Sequence, residues 1–308
     1  MKNRVAIIDM GTNTFHLLVA EFEEQNYQIT HRHSVAVKIG KGGINDGYIT
    51  EEGANRALSA LQNFKSTLDN LSVQKILAFG TSALRVAKNG AEIIQKIITE
   101  TGIETRVISG EEEATYIYEG VRSAMKMDQK SLIVDIGGGS VEFIIGNEKE
   151  IFWKQSFEIG GQRLLEKYQK HDPILPEEID ALNDFFLQSL KPLSDAMTQH
   201  RPQVLIGSSG TFDTLSEIYC AKNSIRWQDN PETPLTISSF HEIFEELKIN
   251  NRAERLQIPG MIEMRVDMIV VACCLIKFLL ANFSFNKVRV SSYSLKEGVL
   301  ASLIKNKH

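Results

Sequence analysis

The sequence predicts an α/β protein built twice over, two domains facing each other across a cleft, and three glycine-bearing turns predict it. One is Leu132-Ile133-Val134-Asp135-Ile136-Gly137-Gly138-Gly139-Ser140-Val141-Glu142-Phe143, where an apolar run ends in an acid, three glycines follow and a second apolar run begins. That reads as strand, tight turn, strand, because glycine takes positive φ at no cost. A hairpin needs only one or two glycines. Three of them suggest backbone stripped of side chains so that a guest, usually phosphate, can lie against its N–H groups. An ordinary hairpin with a generous turn is the plain alternative. Residues 4–20 repeat the pattern, with Asp9-Met10-Gly11-Thr12-Asn13-Thr14 between two apolar strands. The third turn, Gly207-Ser208-Ser209-Gly210-Thr211, joins a strand at 203–206 to a helix at 212–220 and aims N–H groups and a helix dipole at an anion. It matches neither the Walker nor the dinucleotide spacing, so alone it says little.

Length and composition fit this picture. The 308 residues suggest about two domains, and 43% hydrophobic with 24% charged residues suits a globular protein with a real core. A net charge of −5 and a pI near 5.9 provide no global basic field for nucleic acid or an anionic membrane. A polyanionic ligand must therefore be held by local cations, oriented N–H groups or a metal. Cys220, Cys273 and Cys274 are too few and too badly spaced for a disulfide framework or a zinc site, and read as buried thiols. Only four apolar residues follow Arg4 before Asp9 is reached, too few for a signal peptide, and the apolar stretch 268–280 contains Lys277 and is too short to span a bilayer. The expected location is the cytoplasm.

In order, the strands at 4–8 and 15–20 are followed by a third at 27–37 and the loop Gly40-Lys41-Gly42-Gly43. Thr50 caps a helix whose apolar positions Ala54, Ala57, Leu58, Leu61, Phe64, Leu68 and Leu71 keep a 3.6 period. A strand at 73–79 ends in Gly80-Thr81-Ser82-Ala83-Leu84-Arg85, which delivers Arg85 to the strand's C-terminal edge. A helix at 91–99 and a strand at 104–108 lead to Ser109, which with Glu112 forms a capping box opening a helix to about 125. Glu111, Glu112 and Glu113 suit that positive helix end, a role that could account for all three. After the glycine turn come strands at 141–145 and 151–157, helices at 161–168 and 176–197, and the strand at 203–206. A polar loop spans 221–234. Helices at 237–247 and 263–283, a strand at 287–290 and a last helix from Ser294 to 303 complete the chain. His16 reads as a packed strand residue; His31, His33, His171, His200, His241 and His308 lack metal-ligand spacing and read as surface. Lys38, Lys41 and Arg163 read as solvated loop residues near the cleft.

Asp9 and Asp135 lie 126 residues apart, about one small domain. Two strand-rich segments, each followed by helices, give the layout of the duplicated RNase H-like, actin-like fold, here expected as domains 1–124 and 125–308. In that fold the hairpin turns grip phosphates from both sides, and the strand-end acids hold a metal directly or through water.

Within this layout the chain resembles the exopolyphosphatase / guanosine-pentaphosphate phosphohydrolase (Ppx/GppA) family. The resemblance is carried by Asp9-Met10-Gly11-Thr12-Asn13-Thr14, Thr81-Ser82-Ala83-Leu84-Arg85, Ser109-Gly110-Glu111-Glu112-Glu113-Ala114 and Asp135-Ile136-Gly137-Gly138-Gly139-Ser140-Val141-Glu142. It continues in Gly207-Ser208-Ser209-Gly210-Thr211 and Ser294-Leu295-Lys296-Glu297-Gly298, in the family order and over almost the whole chain. The resemblance implies a hydrolase releasing terminal orthophosphate from inorganic polyphosphate, or alternatively a guanosine pentaphosphate phosphohydrolase. It implies Glu113 as the base that activates water and Glu142 as a second essential acid, holding metal or positioning that water. Asp135 would hold Mg²⁺ or another divalent cation, with Asp9 in support. Phosphates would be bound by Arg85, by Gly11, Thr12, Asn13 and Thr14, by Gly137, Gly138, Gly139 and Ser140, and by Ser209, Gly210 and Thr211. A homodimer is a further implication.

The chain departs from the family pattern at three points. Thr12 and Thr14 replace serines but keep the hydroxyl, and Lys296 stands where arginine is usual, which keeps a charge without a bidentate contact. Longer members carry a C-terminal helical HD-type domain absent from this sequence, so processive digestion of long chains is not implied. An ATP-dependent kinase or ATPase of the same fold, and a sensor that binds without turnover, are the competing readings.

Overall fold

The computed structural model describes residues 3–23, 26–228 and 230–305. The first sheet begins as an antiparallel meander of β1 (Asn3–Met10), β2 (Thr14–Glu23) and β3 (Asn26–Ala36). α1 (Glu51–Asn70) leads to β4 (Lys75–Gly80), and α2 (Ser82–Val86) and α3 (Gly90–Thr101) lead to β5 (Thr105–Val107). β4 and β5 add in parallel beside β1, so the strand order is β3-β2-β1-β4-β5. α4 (Gly110–Ala124) then carries the chain to a second sheet.

That sheet opens with the same meander: β6 (Ser131–Ile136), β7 (Val141–Gly146) and β8 (Ile151–Phe157). α5 (Gly161–Tyr168), α6 (Pro176–Ser189) and α7 (Lys191–His200) precede β9 (Val204–Ser208). α8 (Gly210–Lys222), β10 (Glu232–Thr233), α9 (Ile237–Ile249), α10 (Arg252–Arg255) and α11 (Ile269–Asn282) precede β11 (Lys287–Ser291), and α12 (Leu295–Lys305) follows it. The order β10-β11-β9-β6-β7-β8, read from β8, repeats the first sheet with β10 added at the far edge. The fold is the duplicated RNase H-like, actin-like one.

The apolar runs of β6 and β7 are buried at every residue, as strands covered on both faces must be. Thr50 accepts a hydrogen bond from Gly53 N and starts α1. Ser109 caps α4 by accepting from Glu112 N, but Glu112 turns its carboxylate to Arg106, so only half of the expected box forms. The helix expected over 176–197 is two, because Pro192 has no N–H to continue the ladder and opens α7 instead. α11 starts at Ile269 rather than 263, and β10 lies inside the segment expected to be a loop.

Each sheet has its own apolar cluster, and a third cluster joins them, with Ile7 and Phe79 from one side meeting Ile133, Ile144 and Leu295 from the other. α12 returns to pack on α4 and β1 at this seam. The three cysteines are free and buried. Among the described residues no helix is long and apolar enough to cross a membrane. His308 lies outside the described residues.

Candidate active site

The fold brings the two hairpin turns together. Asp9 and Asp135 are each the next-to-last residue of the strand that leads into its turn, β1 and β6. In the ladder Asp135 stands opposite Glu142 of β7 on one side and Ser208 of β9 on the other. Cross-strand partners share a face of the sheet, so the two acids of the glycine motif lie side by side. Glu113 comes from the first turn of α4, the helix that joins the two halves. A narrow cavity of about 60 Å³ is lined by Asp9, Glu113, Asp135 and Glu142 together with Gly11, Thr12, Asn13, Thr14, Gly137, Gly138, Gly139, Ser140 and Ser209.

The backbone of the glycine turn is oriented by its surroundings. The carbonyls of Gly137, Gly138 and Gly139 accept hydrogen bonds from Gly161 N (2.8 Å), Gln162 N (2.8 Å) and Gly160 N (3.0 Å) at the start of α5. Arg163 Nε also donates to the carbonyl of Gly139. In a trans peptide the N–H opposes the carbonyl, so the N–H groups of Gly138, Gly139 and Ser140 point away from α5. In the first turn, the carbonyl of Thr12 is likewise held by Gly40 N, which turns the N–H of Asn13 the other way. The positive φ expected of this turn is not found: none of the three glycines has a left-handed φ. A Cβ on Gly139 would sit 2.4 Å from both Ser82 Oγ and Thr12 Oγ1, and one on Gly138 2.7 Å from Asn13 Oδ1, so at these two positions the opposing turn and α2 leave no room for a side chain. The left-handed residue is Ser209, with φ 73°, an uncommon conformation for a side chain that lines the cavity.

The electrostatics are those of acids crowded out of water. Burial, reinforced by Asp135, raises the Glu142 pKa to about 8, although Ser156 Oγ donates to its Oε1 at 2.6 Å. Burial raises Asp9 to about 6 against the pull of Lys296. Burial also raises Asp135, opposed by Ser294, whose Oγ donates to its Oδ2 at 2.5 Å. Glu113 is pushed well up by burial and then by Glu142, while Arg85 opposes both. His16 lines the same cavity from β2, opposite Asp9, and burial drives its pKa well down.

Three of the predicted residues stand outside the lining. Arg85 Nη1 donates to Glu113 Oε2 at 2.8 Å and Nη2 to Glu158 Oε1 at 3.0 Å, so here it holds the acid rather than the cavity. Gly210 and Thr211 begin α8, where Gly210 lies against the Arg265 guanidinium. Arg163 was expected on a solvated loop. It belongs to α5, and ties the carbonyls of Gly139 and Ile44 and the Glu158 carboxylate together. Residues the sequence reading did not single out include Arg265, which lines the cavity and faces Asp213, and Ser294, Ser156 and Glu158. Ser294 opens a motif block and was legible there. Arg265 carried no signal, since it sits in the irregular segment before α11.

Among the described residues no three His, Cys, Asp or Glu side chains converge as a ready cage for a metal ion. The residues nevertheless fit a hard divalent cation. Mg²⁺ is usually bound through one or two carboxylates, with water and substrate oxygens completing the shell. Asp9 and Asp135 supply such carboxylates, and the buried Thr12 Oγ1, Asn13 Oδ1 and Thr14 Oγ1 have no hydrogen-bond partner. Buried oxygens left unpaired cost roughly 1–3 kcal/mol each, which suits a turn built to meet a guest.

Two RNase H-like halves meeting at an acid-lined cleft put the protein in the class of actin-like folds. Within that class, the chain belongs to the Ppx/GppA phosphatase family, whose sequence pattern matches residues 18–307. It is similar to an exopolyphosphatase from Cytophaga hutchinsonii, with 45% identity over 99% of this chain and 98% of that one and a TM-score of 0.96. It is also similar to the Ppx/GppA family member of Aquifex aeolicus, with 26% identity over the whole of both chains and a TM-score of 0.80.

Proposed function

We propose that this protein is a phosphoanhydride hydrolase that releases terminal orthophosphate from inorganic polyphosphate, with guanosine pentaphosphate as the alternative substrate. The observation that carries the reading is the meeting of Glu113 and Glu142 with two N–H-bearing turns around one narrow cavity. The likeness to the Cytophaga hutchinsonii exopolyphosphatase supports the substrate class.

Hydrolysis of a phosphoanhydride passes through a loose transition state, so positioning and charge stabilisation supply most of the catalysis. In this reading the N–H groups of Asn13, Gly138, Gly139 and Ser140 and the hydroxyls of Thr12 and Thr14 bind the terminal phosphoryl oxygens. Glu113 takes the proton from the attacking water, and its Arg85 partner keeps the carboxylate oriented. Glu142, fixed by Ser156, orients the water from the other wall. Ser294 holds Asp135 in place. A divalent cation held by Asp135 with Asp9 and Glu142 would offset the charge of the phosphate oxygens.

Replacing Glu113 by Gln tests the assignment. A carboxylate base contributes about 10²–10⁴-fold, so Glu113→Gln should lose that much orthophosphate release while still binding polyphosphate. Release at the parental rate would sink the base role. The substrate is decided by measuring phosphate release from polyphosphates of several lengths, guanosine pentaphosphate and ATP. Dominant ATP turnover would favour a kinase or ATPase of this fold, and binding without release would favour a sensor.

A further inference from the structure

One carboxylate at the edge of the site gathers more donors than an ordinary surface acid. Glu158 stands on the link between β8 and α5, and its side chain is 37% exposed. Its Oε1 accepts from Arg85 Nη2 at 3.0 Å, and its Oε2 accepts from Arg163 Nη2 at 3.1 Å and Ser82 Oγ at 2.5 Å. Ser82 and Arg85 belong to α2 of the first half and Arg163 to α5 of the second, so this carboxylate spans the seam. Two guanidiniums and a hydroxyl converging on one anion form a donor set that equally suits a phosphoryl group.

The set abuts the reaction cavity at two points. Ser82 belongs to the cavity lining, with its Oγ against Gly139 of the glycine turn. Arg85 Nη1 donates to Oε2 of Glu113, another lining residue, at 2.8 Å and to the carbonyl of Ile108 at 3.2 Å. Arg163 is committed to the framework, with Nε on the carbonyl of Gly139 and Nη1 on that of Ile44. Arg85 differs. Its Nη1 is tied to a buried acid and a backbone carbonyl, whereas its Nη2 is given to a carboxylate that water reaches. That second contact can be exchanged without disturbing the first.

We propose that Glu158 is a positioning residue that acts through Arg85. It holds Nη2 until substrate arrives, then gives up that donor, together with Ser82 Oγ, to the terminal phosphoryl group. The identity of the incoming group rests on the proposed function, whereas the donor set does not. With Nη1 still on Glu113 and Nη2 on a phosphoryl oxygen, one planar guanidinium fixes the attacked phosphate beside the base. A terminal phosphoryl group offers more charge and more oxygens than a carboxylate, so it displaces Glu158. Orthophosphate lacks the chain that anchors the substrate elsewhere, and the returning carboxylate helps to release it. Glu158 thereby sets a threshold that weakly charged anions do not pass.

Orthophosphate is the probe, because the intact protein binds it without consuming it. Its affinity is measured by calorimetric titration of the parent, Glu158→Gln and Glu158→Ala, with melting curves to show that each variant is folded. Both variants should bind orthophosphate roughly three- to tenfold more tightly, the range for a half-exposed charge-assisted contact that no longer has to be broken. The KM for tripolyphosphate should fall with it. Affinity that is unchanged, or undetectable in all three proteins, overturns the exchange. So does weaker binding that is worse in Glu158→Ala than in Glu158→Gln, since Glu158 would then be a brace for Arg85. An Arg85→Ala background separates exchange from simple loss of a negative charge. There Glu158→Gln should bring no gain, and a gain that persists overturns the proposal. Orthophosphate release by the parent with unaltered affinities removes the exchange and leaves the proposed function standing. No release from any substrate, with both variants still tightened on orthophosphate, does the reverse.

Discussion

Asp213 sits in the first turn of α8 with its Oδ1 enclosed and unpartnered, and burial raises its pKa to about 7 against the opposing charges of Arg265 and Lys296. An acid raised above its unfolded value of 3.8 keeps its proton in the folded chain while the unfolded chain has already released it. Its contribution to stability is therefore complete below about pH 4 and is lost as pH rises through about 7. A shift of this size corresponds to roughly 4 kcal/mol. Asp213→Asn cannot ionise, so its melting temperature should match the parent at or below about pH 4 and fall less steeply between about pH 4 and 7. Melting curves of equal slope would contradict this. At this scale the sequence made the acids of the motifs visible, because Asp9, Asp135, Glu113 and Glu142 stand in local patterns. It did not make their partners visible. Ser156 reaches Glu142 from β8 and Arg265 reaches the cavity from an irregular segment, and such contacts depend on where strands and turns meet in space.

The elements were legible wherever periodicity was strong. The buried strands β6 and β7, the capped helix α1 and the short α5 follow from apolar pattern and capping residues alone. The reason for the triple glycine was not legible, since close approach by a turn 125 residues earlier leaves no local trace. The same holds for α12, whose place at the seam depends on its crossing with α4. A Cβ on Gly298 would lie 1.7 Å from the Tyr116 carbonyl oxygen, so the two helices touch backbone to backbone there. That contact sets Ser294, one residue before α12, against Asp135. Gly298→Ala must push α12 outward. Overpacking of this kind costs typically 1–3 kcal/mol, which urea unfolding would measure, and the displaced Ser294 should lower orthophosphate release. Parental stability together with parental release would show that the crossing has slack and that the seam does not depend on it.

Across the whole molecule, the acids of the cleft come from both halves: Asp9 from the first sheet, Asp135 and Glu142 from the second, and Glu113 from the helix that joins them. Burial raises all four, Asp9 to about 6 and Glu142 to about 8, and like charge adds to it at Asp9, Glu113 and Glu142, so the cleft holds its halves together at a cost in buried acids. Polar latches resist the repulsion from outside, notably Asn13 to Gln162 and Gly42 N to Glu166 Oε1. A divalent cation binding between Asp9 and Asp135 would remove repulsion at the seam itself and so stabilise the molecule as a unit. Binding to the folded state at a hundredfold excess over the dissociation constant adds about 2.7 kcal/mol. Mg²⁺ should therefore raise the melting temperature in a saturable way, without any substrate present. Asp135→Asn should abolish that rise, while its melting temperature without Mg²⁺ stays at or above the parent's because one buried acid is gone. If Mg²⁺ leaves the parent's melting unchanged, the cleft acids do not hold a cation in the free protein, and their charge must be balanced by the substrate's own counterions.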